Sequence, residues 1–70
     1  MFGQILNKTR KSQRFTAQQM ADFLNVSLRS YHYYESGDIQ PSFEILIKLA
    51  DKLNVSTDYL LGRDNQQNTL

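Results

Sequence analysis

Four side chains within six positions carry the most distinctive chemistry of this chain: Leu28, Arg29, His32 and Tyr33. Arg29 offers a planar fork of N–H donors, His32 ring nitrogens, Tyr33 a phenolic hydroxyl and Leu28 only methyl groups. At 100° per residue these four, together with Ser36, fall on one arc of a helix, opposite Tyr31 and Tyr34. Donors and apolar groups that project together from one short helix can read a second surface bearing acceptors and methyl groups. Catalytic parts are missing: there is no nucleophile beside a base, no carboxylate pair in an evident pocket and no phosphate-cradling glycine loop. With no cysteine and a single histidine, disulfides, thiol chemistry and a zinc site of the usual ligand count are also removed. The chain is expected to be no enzyme and to need no metal or cofactor.

The elements that must position those residues are written in the local punctuation. Over residues 16–24, Ala17, Met20, Ala21 and Leu24 recur at spacings of three and four, the pattern of an amphipathic helix. Thr16, with Gln19 three residues on, has the form of a capping box. Asn25 then follows the last apolar leucine, where a left-handed residue must end the helix, and asparagine tolerates that conformation best after glycine. Val26 can pack back, and Ser27 can cap the next helix, which buries Tyr31 and Tyr34 and stops at Gly37. Ala21 is small where two crossing helices must approach closely. A small residue before a tight turn, with apolar residues around a left-handed one, is the sequence form of a helix-turn-helix.

On either side lie further helices. Residues 3–13 place Phe2, Ile5, Leu6 and Thr9 on one side and Lys8, Lys11 and Arg14 on the other, with Arg10 at the edge of the apolar side. Asp38, Ile39 and Gln40 form a loop; Pro41 holds Gln40 out of the helical region, and Ser42 caps a fourth helix. That helix carries Phe43, Leu46, Ile47, Leu49, Ala50 and Leu53 on one broad apolar face. The punctuation of residues 22–27, DFLNVS, returns at residues 51–56 as DKLNVS and should end the fourth helix and begin a short fifth, about 57–61, stopped by Gly62. Phe23 and Ile45, at the margins of their apolar faces, either cover the core or mark a partner surface. An all-α, five-helix domain over residues 1–62 follows, with the polar residues 63–70 as a tail or the start of a linker.

Seventy residues with 40% hydrophobic and 21% charged content make one small globular domain of modest stability. No apolar run is long enough to span a membrane and no signal-peptide pattern opens the chain, so a cytoplasmic location is expected. The net charge of +1 hides an uneven distribution: Lys8, Arg10, Lys11 and Arg14 stand unopposed before residue 15, while the remainder is net negative. Such a cluster serves phosphate binding or is simply a solvated helix face.

The chain resembles the Cro and lambda-repressor-like, or XRE, helix-turn-helix family over residues 2–62. The resemblance rests on Met20-Ala21 and Leu24-Asn25-Val26-Ser27 at the turn, on Tyr34-Glu35-Ser36-Gly37 closing the third helix, and on the run PSFEILIKLADKLNVSTDYLLGR. It implies a domain that binds double-stranded operator DNA, usually as a homodimer on inverted half-sites, with the third helix in the major groove. Transcriptional regulation, of the repressor type in bacteria or their phages, is the implied role. By position Leu28, Arg29, His32 and Tyr33 match the family's base-reading places. Arg10 and Glu35 match a pair that forms an internal salt bridge. The family's dimers commonly meet through the C-terminal part, which points to Tyr59 and Leu60 or Leu61.

Within that frame Arg29 can grip guanine O6 and N7, or touch a phosphate; Leu28 suits a thymine methyl; His32 and Tyr33 are either contacts or plain surface residues. Arg14, Gln18 and Ser42, with the amides opening helices two and four, form the expected phosphate group, and Lys8 and Lys11 follow from charge alone. The family often has glutamine opening the second helix, asparagine before the glycine and a basic residue after it. This chain has Ala17, Ser36 and Asp38 there, and each loses a phosphate partner. The rival reading is a protein-interaction module that keeps the scaffold and has weakened DNA binding.

Overall fold

Four hydroxyl side chains set the starts of four helices. In a computed structural model, which describes residues 1–63, Thr16, Ser27, Ser42 and Ser56 each sit in extended backbone and accept a hydrogen bond from the amide three residues on. At Thr16 the box is complete, because Gln19 Oε1 also accepts from the Thr16 amide at 2.8 Å. The elements are α1 (Phe2–Ser12), α2 (Ala17–Leu24), α3 (Leu28–Ser36), α4 (Phe43–Leu53) and α5 (Thr57–Leu60), and no strand occurs among the described residues. All but one residue of the 63–70 tail lies outside them.

The stops of α1, α2 and α4 follow one rule. Asn25 and Asn54 take φ of 60° and 58°, and behind them Val26 donates to the Ala21 carbonyl and Val55 to the Ala50 carbonyl, both at 3.0 Å. Those six-residue closures satisfy carbonyls that the helix ends would otherwise strand. The same closure ends α1 at a residue that sequence gives no reason to expect. Arg14 has φ of 66°, and Phe15 behind it donates to the Arg10 carbonyl at 3.2 Å. Gln13 then reaches across to donate to the Leu53 carbonyl at 2.6 Å, tying the end of α1 to the end of α4.

The core is Leu6, Met20, Ala21, Leu24, Tyr31, Leu49, Ala50, Leu53 and Leu60. α2 packs on α3, α1 on α3 and α5, and α4 on α2 and α5. The broad apolar face expected of α4 is only partly inside. Leu49, Ala50 and Leu53 are buried and Ile45 and Leu46 half-buried against the core, whereas Phe43 is 86% exposed and Ile47 53% exposed, one helical turn apart at one edge of that face. Tyr34, expected to be buried, is half-buried and meets the Tyr31 ring edge-on at 6.4 Å between centroids. Phe23 is also exposed in part, and the Lys52 ammonium lies between it and Phe15, 4.9 and 5.0 Å from the two ring centroids.

Candidate nucleic-acid interface

The inner side of α3 is fixed before its outer side can be used. Tyr31 is wholly buried, and its hydroxyl donates to Glu35 Oε2 at 2.5 Å, one helical turn further on. Glu35 in turn holds α1: Arg10 donates from Nε to Oε2 at 2.6 Å and from Nη2 to Oε1 at 3.3 Å, and Asn7 Nδ2 donates to Oε1 at 2.7 Å. Arg10 Nη1 completes the set on the Phe15 carbonyl at 2.8 Å. Burial pushes the Glu35 carboxyl up, but the donors Arg10, Tyr31 and Asn7 together outweigh it and leave the group below the usual carboxylate range. Bonding to Glu35 raises the Arg10 guanidinium further, and burial, then the bond to Glu35, holds the Tyr31 phenol well above its ordinary value.

Two residues of this joint carry no obvious sequence signal. Asn7 lies one turn before Arg10 on the same helix face. Gly3, one turn earlier again, lets α1 cross the end of α3 closely: a Cβ built there would fall 2.8 Å from the Glu35 carbonyl carbon and 3.0 Å from the Tyr34 oxygen. The spacing 3, 7, 10 is the only hint, and its meaning depends on the crossing.

With that side anchored, the other side of α3 faces solvent. Leu28, Arg29 and His32 are exposed and Tyr33 is half-buried. Among the described residues neither Arg29 nor His32 has a side-chain hydrogen-bond partner, so both project outward from a helix whose inner side is bonded to α1. The structure thus brings the four base-reading candidates onto one surface.

The phosphate candidates are less uniform. Arg14 is exposed on its left-handed turn, just ahead of the N-terminus of α2. Gln18 already donates to Asp22 Oδ1 at 2.9 Å. The Ser42 oxygen is occupied as the cap of α4, accepting from Ile45 at 3.2 Å, which leaves its hydroxyl proton free to donate. The amides opening α2 have no acidic residue in their first turn, while α4 carries Glu44 there, so of these two ends that of α2 offers the uncompensated positive dipole. Of the four basic residues before position 15, Arg10 is consumed by Glu35, and Lys8 borders hollows shared with Tyr59 between α1 and α5. Of the C-terminal contacts expected in a dimer, Leu60 is fully buried, and Tyr59 and Leu61 are exposed.

Comparison with known proteins agrees with this architecture. A family model described as helix-turn-helix matches residues 6–60. The SPbeta prophage-derived uncharacterized HTH-type transcriptional regulator YonR of Bacillus subtilis is 46% identical over 67 residues, which are 96% of this chain and 62% of that protein. The cryptic phage CTXphi transcriptional repressor RstR of Vibrio cholerae is 48% identical over 58 residues, 83% of this chain and 52% of RstR. A crystal structure of a transcriptional regulator from Listeria innocua superposes with a TM-score of 0.83 at 37% identity, covering 89% of this chain and 58% of that one. The chain therefore spans between half and two thirds of the length of these relatives. It belongs to the Cro and lambda-repressor-like, or XRE, family of helix-turn-helix domains.

Proposed function

We propose that this chain binds double-stranded DNA in a sequence-specific way and regulates transcription, as a repressor of bacterial or phage type. One observation carries the reading: among the described residues Arg29 and His32 stand unpartnered on the solvent side of α3 while Tyr31 and Glu35 pin its other side to α1. A helix so held can enter a major groove without paying to be ordered there, and its base-edge contacts then set sequence choice. Leu28 and Tyr33 join the reading surface. Arg14, the α2 amides, Ser42 and Gln18, once released from Asp22, hold the backbone.

The active species is a homodimer on inverted half-sites, its two reading helices roughly 34 Å apart. Residues 1–62 form the DNA-binding unit, 63–70 serve as a tail or linker, and the cytoplasm is the setting. No helix among the described residues is long and apolar enough to cross a membrane. A protein-interaction module is the second reading, favoured by the engagement of Gln18 with Asp22, which occupies one of the expected phosphate contacts. Selection of bound fragments from random DNA, followed by salt titrations on the selected and scrambled duplexes, tests the choice. Enrichment of a palindromic site supports DNA reading; absence of binding to any duplex at low salt transfers the surface to a protein partner.

A further inference from the structure

Two polar side chains on the surface proposed to meet DNA are held by carboxylates of the chain itself. Ser36 stands seven residues after Arg29, so it lies on the same stripe of α3, about 10 Å further along the axis. Its hydroxyl donates to Asp38 Oδ2 at 2.9 Å, closer than its 3.2 Å approach to the Tyr33 carbonyl, and the Asp38 amide donates back to Ser36 Oγ at 3.4 Å. The carboxylate is thereby folded onto the C-terminal end of the stripe. On α2, Gln18 Nε2 donates to Asp22 Oδ1 at 2.9 Å. All four residues are exposed. Among the described residues neither carboxylate has a cationic partner, since the ion pairs there are Arg10 with Glu35 and Lys48 with Glu44.

Folding does not account for these two charges. An asparagine oxygen would accept the same bonds at both places. Both acids also stand at the C-terminal ends of their helices, neither of which has a basic residue in its last turn, so each adds an anion to the negative pole of a dipole. Duplex DNA carries one negative charge per ~1.7 Å of its axis, and charges act over ~8 Å at physiological salt. A contact that lays the stripe from Arg29 to Ser36 along DNA therefore brings Asp38 within range of phosphates at any docking angle. Gln18 can reach a phosphate only with Asp22 beside it. We infer that Asp22 and Asp38 limit the affinity of this chain for DNA: they occupy Gln18 and Ser36 in the free chain as phosphate oxygens would, and they repel the backbone in the complex. The inference rests on the DNA reading above and concerns the strength of that same contact. Because phosphates are alike in every sequence, the two acids lower affinity for all sites and leave base choice to α3.

Asp22→Asn and Asp38→Asn chains, titrated beside the parent on selected and scrambled duplexes, test this. Each should bind both duplexes about two- to fivefold more tightly at ~50 mM salt, the size expected of one exposed charge, and the gain should shrink as salt rises. The double variant should multiply the two gains. Melting temperatures should stay the same or rise, because an anion leaves a negative helix pole. Asp58→Asn makes an equal change of net charge on α5 and should bind as the parent does. An Asp58→Asn chain that gains as much would reduce the effect to net charge and overturn the inference. So would an Asp22→Asn or Asp38→Asn chain that gains nothing, for the residue concerned. Weaker binding of Asp38→Asn to the selected duplex alone also overturns it, by making that carboxylate a reader of a base amino group. If the parent binds no duplex at low salt, the double variant decides: restored binding supports the inference, and continued absence overturns it together with the DNA reading.

Discussion

Arg10 Nε and Glu35 Oε2 lie 2.6 Å apart, and this ion pair, with each side chain at or below 10% exposure, is the joint by which α1 holds α3. Its strength comes from saturation. Four donor contacts converge on the two Glu35 oxygens, from Arg10 twice, Tyr31 and Asn7, so neither buried oxygen is left without a partner. The candidate reading surface is therefore positioned by a network on the far side of its own helix.

Glu35→Ala leaves the Arg10 charge buried against apolar neighbours and should cost ~3 to 5 kcal/mol. At ~0.05 to 0.15 kcal/mol per residue, a 70-residue domain has only ~3.5 to 10 kcal/mol in all, so the loss is a large fraction of its stability and the melting temperature should fall steeply. Replacing both partners by apolar residues, as in Arg10→Met with Glu35→Leu, should cost clearly less than either single change. Thermal melts of the three variants decide the point, and an unchanged melting temperature for Glu35→Ala would reject the joint.

The same carboxyl makes stability depend on acid. Its native value lies below its ordinary 4.5, because burial raises it but the converging donors lower it more. The unfolded chain therefore takes up this proton first as pH falls. The stabilisation is present above about pH 4.5 and is lost progressively below it, down through the native value. Denaturant midpoints measured from neutral pH to pH 2 should fall in that lower window, and a Glu35→Gln chain should show a flatter slope there. Equal slopes in the two chains would assign the acid sensitivity elsewhere.

Gly3→Ala should destabilise, although alanine is normally the better helix residue by up to ~1 kcal/mol. Here the added carbon meets backbone of Tyr34 and Glu35, which cannot swing aside as a side chain can. Overpacking of this kind costs ~1 to 3 kcal/mol and exceeds the propensity gain. Gln4→Ala, at the exposed neighbour, supplies the control. A Gly3→Ala chain that melts higher than the parent would mean that α1 does not seat on α3 here.

How far the fold could be read from sequence depended on the range of the interactions. The caps at Thr16, Ser27, Ser42 and Ser56 and the left-handed Asn25 and Asn54 were legible because each is decided within about five residues. Which of the apolar residues on α4 is covered was not, since periodicity reports a broad face but not which part of it the neighbouring helices cover; Phe43 and Ile47, exposed beside half-buried Leu46, show the difference. At the site, the outward set Leu28, Arg29 and His32 followed from the helical repeat once Tyr31 pointed inward. The engagement of Gln18 by Asp22 and the φ of Arg14 did not, because one is a choice among rotamers and the other a turn that a closing bond imposes on an ordinary residue.

The last prediction separates the two kinds of DNA contact. Arg14 stands at the end of α1 beside the uncompensated amides of α2, and Arg29 stands on the outer side of α3. Arg14→Ala keeps a Cβ on the same left-handed turn, so its backbone strain is unchanged and only the guanidinium is lost. It should weaken binding to selected and scrambled duplexes alike and reduce the salt slope by about one phosphate. Arg29→Ala should instead cost ~1 to 3 kcal/mol on the selected site and relax choice at one base position, with a smaller effect on scrambled DNA. With Arg10 committed to Glu35, the parent should neutralise only ~3 phosphates per copy, a shallow slope of log affinity against log salt. Titrations of the three chains on both duplexes at several salt concentrations carry the comparison. Equal weakening of both duplexes by Arg29→Ala would make that residue a phosphate clamp and move sequence reading to His32, Tyr33 and Leu28.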